Sequence, residues 1–156
     1  MRDQVQSLYK LLESRGLTIA VAESCTGGLL GGALTSVSGS SRYFLGGVVA
    51  YSNHVKKDLL KVAKETISSF GAVSAECAIE MAKGVKALIG SDIGVSITGI
   101  AGPEGGTDEK PVGTVFIAVS YLDSISEKKL FEGSRSEIRR QAVQSALLSV
   151  IRLLSV

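Results

Sequence analysis

Histidine is nearly missing from this sequence: His54 is the single one among 156 residues, and cysteine is confined to Cys25 and Cys77. With no CxxC or CxxH spacing, these three residues leave out the usual donor set of a zinc site. Two cysteines are also too few for a disulfide framework. No basic run exceeds two residues and the formal net charge is +2, so DNA or an anionic membrane surface finds no electrostatic footprint here. No apolar stretch has the length that a membrane span needs. The N-terminus, opening Met1-Arg2-Asp3-Gln4, carries charge and no apolar run, so it does not read as a signal peptide. These absences predict a protein of a reducing cytoplasm, with no nucleic-acid or membrane partner and no metal or other cofactor.

What is present suits one folded domain across residues 1–156, long enough to bury a core of its own. Val5, Leu8, Leu11 and Leu12 form one stripe of a helix over 4–15 that Gly16 ends. The apolar run 17–22 reads as a buried strand. A small-residue turn follows, then Leu29, Leu30, Ala33 and Leu34 at helical spacing up to Gly39. A second strand is expected over 43–51, and a short helix capped by Asn53 with Val55, Leu59 and Leu60 facing inward. Ser74 and Glu76 open a helix that ends near Gly90, and a third strand spans 92–98. Strands over 113–121 and 129–132 form a hairpin across 122–127, and a last helix runs from Ser134 to Leu154. Helices alternating with buried strands, then a hairpin, predict a single-domain three-layer α/β/α sandwich with a mixed, mainly parallel sheet.

Ser24 stands where the first strand hands over to a helix, in Ala22-Glu23-Ser24-Cys25-Thr26-Gly27-Gly28. Two readings fit this place. Serine is a preferred helix cap, which local pattern alone favours. A serine there could also attack a carbonyl while amides around Thr26, Gly27 and Gly28 hold the oxyanion. The segment is neither a GxSxG elbow nor a Walker A loop, although a glycine-rich helix start binds anions readily. A serine nucleophile needs a base, and the candidates are His54, otherwise a solvated surface residue, or a lysine that burial has made neutral. If the first two strands are neighbours, Ser24 and Tyr51 reach one edge of the sheet, with Lys56 and Lys57 a helical turn beyond. The ordinary fate of those lysines is an exposed charged face.

A third block is Thr98 with the loop 99–106, in which Gly99 and Gly102 are two of four glycines following a strand end. Ligands of open α/β sheets lie outside such ends. Cys25 competes as a nucleophile, since a helix start lowers a thiol pKa, but a packed thiol is the commoner outcome. Arg135, Arg139 and Arg140 begin the last helix, where an arginine could grip a phosphate or carboxylate in two-pronged fashion.

Taken in order, the Ser24 block, Gly46-Gly47-Val48-Val49-Ala50-Tyr51-Ser52-Asn53 with Lys56, and Thr98-Gly99-Ile100-Ala101-Gly102-Pro103 resemble the CinA C-terminal domain family of nicotinamide-nucleotide amidases, from about residue 4 to 154. The resemblance implies metal-independent hydrolysis of the carboxamide of nicotinamide mononucleotide (NMN), in pyridine nucleotide salvage, to nicotinate mononucleotide and ammonia. Ser24 matches the family's serine, Tyr51 its tyrosine, Lys56 its lysine, Thr98 its threonine and Arg139 its arginine. The implied chemistry is attack by Ser24 Oγ, with Lys56 as proton acceptor and Tyr51 ordering it. The resemblance also implies the stand-alone form, without the larger N-terminal domain often fused to this one and without that domain's pyrophosphatase activity.

This sequence departs from the family pattern at His54-Val55, where Glu-Ala is frequent, and at Ser134 in Gly133-Ser134-Arg135, where aspartate is frequent. The alternatives are a non-catalytic nucleotide-binding regulatory module and an amidase for another small amide. A homo-oligomer is expected, as for many small α/β enzymes.

Overall fold

The computed structural model describes residues 1–156. Its centre is the apolar run beyond Gly16, which forms β1 (Ile19–Glu23), buried along its whole length. β2 (Phe44–Val49) and β3 (Ile93–Gly99) flank β1 and run parallel to it. β4 (Thr114–Ser120) pairs antiparallel with β3, and β5 (Ser124–Leu130) antiparallel with β4. The sheet order is therefore β2-β1-β3-β4-β5, mixed, with β4 alone reversed.

Alternation of side chains across each strand divides the interior into two layers. Ile19, Val21, Ile93, Val95, Ile97, Val115, Ile117 and Val119 cluster with the apolar stripes of α1 (Arg2–Arg15), α2 (Leu29–Thr35) and α6 (Arg135–Leu154). Buried leucines on those helices, such as Leu8, Leu12, Leu34 and Leu147, each stabilise the fold by about 1.5–3 kcal/mol. The opposite face of the sheet is small: Ala20, Ala22 and Ala118 lie against α5 (Ala75–Ile89), with Cys77, Ala78, Met81, Ala82 and Val85 facing them. Close approach is a requirement there, because a Cβ on Gly84 of α5 would run into the Leu60 backbone carbonyl. The result is the α/β/α sandwich read from the sequence. None of the helices is long and apolar enough to cross a membrane.

Several boundaries differ from expectation for identifiable reasons. Ser52, not Asn53, caps α3 (Asn53–Asp58), accepting from Val55 N–H at 3.2 Å. This helix stops before Leu59, which is exposed. α2 closes at Thr35, so Gly39 opens a short 3-10 turn (Ser40–Arg42) and does not end the helix. The hairpin turn is tighter than predicted, with Tyr121 N–H donating to the Asp123 carbonyl at 2.9 Å, and β5 begins at Ser124. A further helix, α4 (Lys64–Phe70), carries no apolar stripe in KETISSF to announce it. Ser134 caps α6 through a reciprocal capping box with Glu137, so the serine there performs a cap's function.

Candidate active site

The register Glu23↔Val49 and Glu23↔Ile97 brings the chain just beyond β1, β2 and β3 to one edge of the sheet. Ser24, Tyr51 and Thr98 meet there, around a cavity of about 290 Å³ lined also by Cys25, Asn53, Lys56, Gly99, Gly102, Glu104 and Arg135. This volume stands at the small end of the roughly 300–1,000 Å³ usual for small-molecule sites.

Ser24 is not the cap of α2, because four residues of turn separate it from Leu29. Its N–H donates to the Ile97 carbonyl at 2.9 Å, which carries the sheet ladder one residue past β1. Beyond it the chain turns through Gly27 and Gly28, at φ 57° and 107°, a region that side-chain-bearing residues enter only with strain.

Lys56 is the decisive neighbour. On α3 it points inward and is 2% exposed, while Lys57 beside it is part-exposed. Its Nζ lies 3.2 Å from Ser24 Oγ and 3.3 Å from the Tyr51 carbonyl oxygen. Burial lowers its pKa from the ordinary lysine value, since removing an ammonium from water disfavours the charged form. A buried amine in contact with a serine hydroxyl can take up the proton that the hydroxyl loses on attack. His54 is on the outer face of α3, where it pairs with Asp58 at 3.2 Å, and so takes the solvated role. Cys25 is a buried thiol, pushed up to about 11 by its burial.

Two further residues are placed otherwise than the sequence implied. Tyr51 is 62% exposed and reaches Lys56 through its backbone carbonyl; its phenol oxygen accepts from Arg135 Nη2 at 3.3 Å. Arg139 turns away from the cavity. Its Nε donates to the Cys25 carbonyl at 3.0 Å and its Nη2 to the Thr26 carbonyl at 3.1 Å, holding the turn from behind. Arg135, one helical turn earlier, is the arginine that lines the cavity, with Nη1 donating to the Gly102 carbonyl at 2.8 Å. Thr98 is at the cavity wall, yet its hydroxyl is committed to the Ala72 carbonyl at 2.9 Å. It thus ties β3 to the segment after α4.

The amides expected to hold an oxyanion are only partly free. Gly27 N–H donates to the Ser24 carbonyl at 3.1 Å, whereas the N–H groups of Cys25, Thr26 and Gly28 have no acceptor in the protein. In the glycine loop that lines the same cavity the N–H groups of Ala101, Gly102, Glu104 and Gly105 are likewise unpaired, a set of donors suited to an anionic or carbonyl oxygen. Sequence reading missed Glu23, fully buried beneath the turn, and Glu104 at the cavity. No group of three His, Cys, Asp or Glu side chains comes together in a metal-holding arrangement.

Known proteins share this architecture. The sequence model of the family described as the CinA C-terminal domain matches residues 2–154. A CinA-like protein of Thermotoga maritima is 52% identical over 140 residues, which is 90% of this chain and 34% of that protein. The chain thus spans about a third of the length of the curated relatives it matches. Among solved structures, the competence damage-inducible protein A of Klebsiella pneumoniae is 35% identical with a TM-score of 0.96, covering 99% of this chain and 96% of that one. A competence/damage inducible protein of Agrobacterium tumefaciens is 39% identical with a TM-score of 0.91, covering 97% and 95%.

Proposed function

The chain belongs to the CinA C-terminal domain family, and from that premise we propose that it is a serine amidohydrolase that converts NMN to nicotinate mononucleotide and ammonia. The observation that carries the reading is the buried Lys56 Nζ at 3.2 Å from Ser24 Oγ, at the strand edge where α/β proteins hold ligands.

The chemistry follows from this pair. Neutral Lys56 takes the Ser24 proton as Oγ bonds to the carboxamide carbon, and the carbonyl oxygen becomes an oxyanion. The resulting ammonium returns its proton to the amide nitrogen as the carbon–nitrogen bond breaks and ammonia leaves. Water, deprotonated by the same amine, then attacks the acyl ester; the ammonium returns that proton to Ser24 Oγ as the ester bond breaks, releasing the acid and regenerating the pair. The Tyr51 carbonyl keeps the amine in place through both steps, which makes the backbone of Tyr51 its contribution. Arg135 and the unpaired amides of the glycine loop, which line the cavity with Ser24, are the donors that suit the phosphate of a mononucleotide. Arg139 supports the turn and does not touch substrate in this scheme.

The test is incubation of the purified protein with NMN while ammonia and nicotinate mononucleotide are measured. The reading expects stoichiometric formation of both by the wild type and none by Ser24→Ala. Equal rates in the two proteins, or none in either, refute it.

A further inference from the structure

The geometry points to Glu23 as a positioning residue for the amidase step: its buried carboxylate closes the nucleophile turn so that the Cys25 N–H is left as the oxyanion donor beside Ser24. This deepens the amidase reading and rests on it.

Glu23 is the last residue of β1 and 1% exposed. Its Oε1 accepts from Thr26 Oγ1 at 2.6 Å and from Leu30 N–H at 2.8 Å, and its Oε2 accepts from Gly31 N–H at 3.0 Å. Leu29 N–H donates to the Thr26 carbonyl and Gly32 N–H to the Gly28 carbonyl. All four amides at the start of α2 are therefore consumed within the protein, and the helix end has no donor from 29 to 32 to offer a substrate. A buried carboxylate is costly unless its lone pairs are met, and here three donors meet it.

The closed turn has a directional consequence. In a trans peptide the N–H points opposite to the C=O. The Ser24 carbonyl accepts from Gly27 N–H within the turn, so the Cys25 N–H of the same peptide points the other way, without an acceptor on another residue. Cys25 lines the cavity with Ser24, whereas Thr26 is wholly buried. Serine hydrolases of other folds also use the N–H of the residue after the nucleophile. Glu23 grips the turn through Thr26 from the α2 side, and Arg139 grips the Cys25 and Thr26 carbonyls from α6. Neither reaches the reacting atoms.

Glu23→Gln preserves shape but sets an NH₂ group against at least one of the three donors. Its effect is read in two assays: steady-state kinetics on NMN, and the rate at which an arylsulfonyl fluoride modifies Ser24, where Oγ displaces fluoride from sulfur and a sulfonyl oxygen occupies the oxyanion position. Loss of a whole oxyanion donor lowers kcat by about 100- to 1,000-fold. A displaced one is expected to lower both kcat and the sulfonylation rate at least about tenfold, with KM within about twofold and the circular dichroism spectrum unchanged.

Thr26→Val, isosteric and remote from the cavity surface, removes one of the three contacts and is expected to slow both rates by a smaller factor. It carries the comparison if Glu23→Gln does not fold. Unchanged rates in folded variants overturn the proposal, as does a raised KM with unaltered kcat and sulfonylation. Wild-type protein that is sulfonylated at Ser24 but leaves NMN intact removes the substrate assignment alone, and the sulfonylation rates then decide on Glu23. Wild-type protein inert in both assays removes the amidase reading and this inference with it.

Discussion

Replacing Lys56 by methionine separates what the amine does for catalysis from what it costs the fold. Methionine fills nearly the same unbranched volume but needs no water, so the cavity floor is preserved. Turnover should fall by at least about 100- to 10,000-fold, the usual contribution of a positioned base.

Stability should move in a pH-dependent way, and the sign follows from the lowered pKa. At low pH, Lys56 is charged in both folded and unfolded chains, and the folded state bears the full desolvation penalty. Between the folded-state pKa and the ordinary lysine value the unfolded chain holds a proton that the folded one has shed, so wild-type stability rises with pH. Each unit of depression is worth about 1.4 kcal/mol, and for a chain of this size 1 kcal/mol is about 2–4 °C in Tm. Against this, methionine leaves Ser24 Oγ and the Tyr51 carbonyl without their donor, at about 1 kcal/mol each. The difference in Tm, Lys56→Met minus wild type, should therefore be most positive at the acid end of the scan and shrink as pH rises toward 10. Scanning calorimetry from pH 6 to 10 measures it. A difference independent of pH would show that Lys56 carries no desolvation penalty on its charge, and turnover near wild type would show that it is not the base.

Other perturbations test individual contacts. His54→Ala removes an exposed i,i+4 pair with Asp58 and should leave NMN turnover within about twofold and Tm nearly unchanged, as exposed pairs contribute little. Arg139→Ala withdraws two charged donors from the Cys25 and Thr26 carbonyls and should lower Tm and kcat together, by about 1.5–3 kcal/mol per hydrogen bond in stability. Arg135→Ala should raise KM for the mononucleotide much more than for the corresponding riboside, with a smaller loss of Tm because Arg135 is the more exposed of the two; equal effects on both substrates would remove Arg135 from the phosphate. Gly84→Ala should destabilise the fold by about 1–3 kcal/mol, read by urea denaturation, since α5 would have to move off the Leu60 carbonyl.

How far these contacts could be read from sequence varies with their physical origin. Strands β1 and β3 are buried on both faces and declare themselves as apolar runs, and their parallel register follows from the helices between them. β5 is an edge strand whose SISEKKL carries the charges that discourage edge pairing, so charge that reads as a turn is in fact strand. Glu127 of β5 is satisfied by Lys129, two residues further along the same strand, and by Arg152 of α6, a partner far off in sequence.

At the site, the neighbourhood of Ser24 and Lys56 followed from pairing β1 with β2. The choice between Arg135 and Arg139 did not, because residues four apart share a helix face and only tertiary packing sends one to the cavity and the other to the turn. Tyr51 illustrates a different limit: sequence names the residue, but the contribution comes from its carbonyl. Glu23 left no signal of its own, because a glutamate ending a strand is ordinarily solvated.

The reading depends most on burial favouring the neutral form of Lys56, the form that can accept the proton of the Ser24 hydroxyl it touches. Titration of the Lys56 ε-carbon by NMR, assigned by its disappearance in Lys56→Met, tests it most directly. The expected midpoint lies below the ordinary lysine value of about 10.4, with an ε-carbon shift that responds to Ser24→Ala. A midpoint at or above that value, indifferent to Ser24, would contradict it.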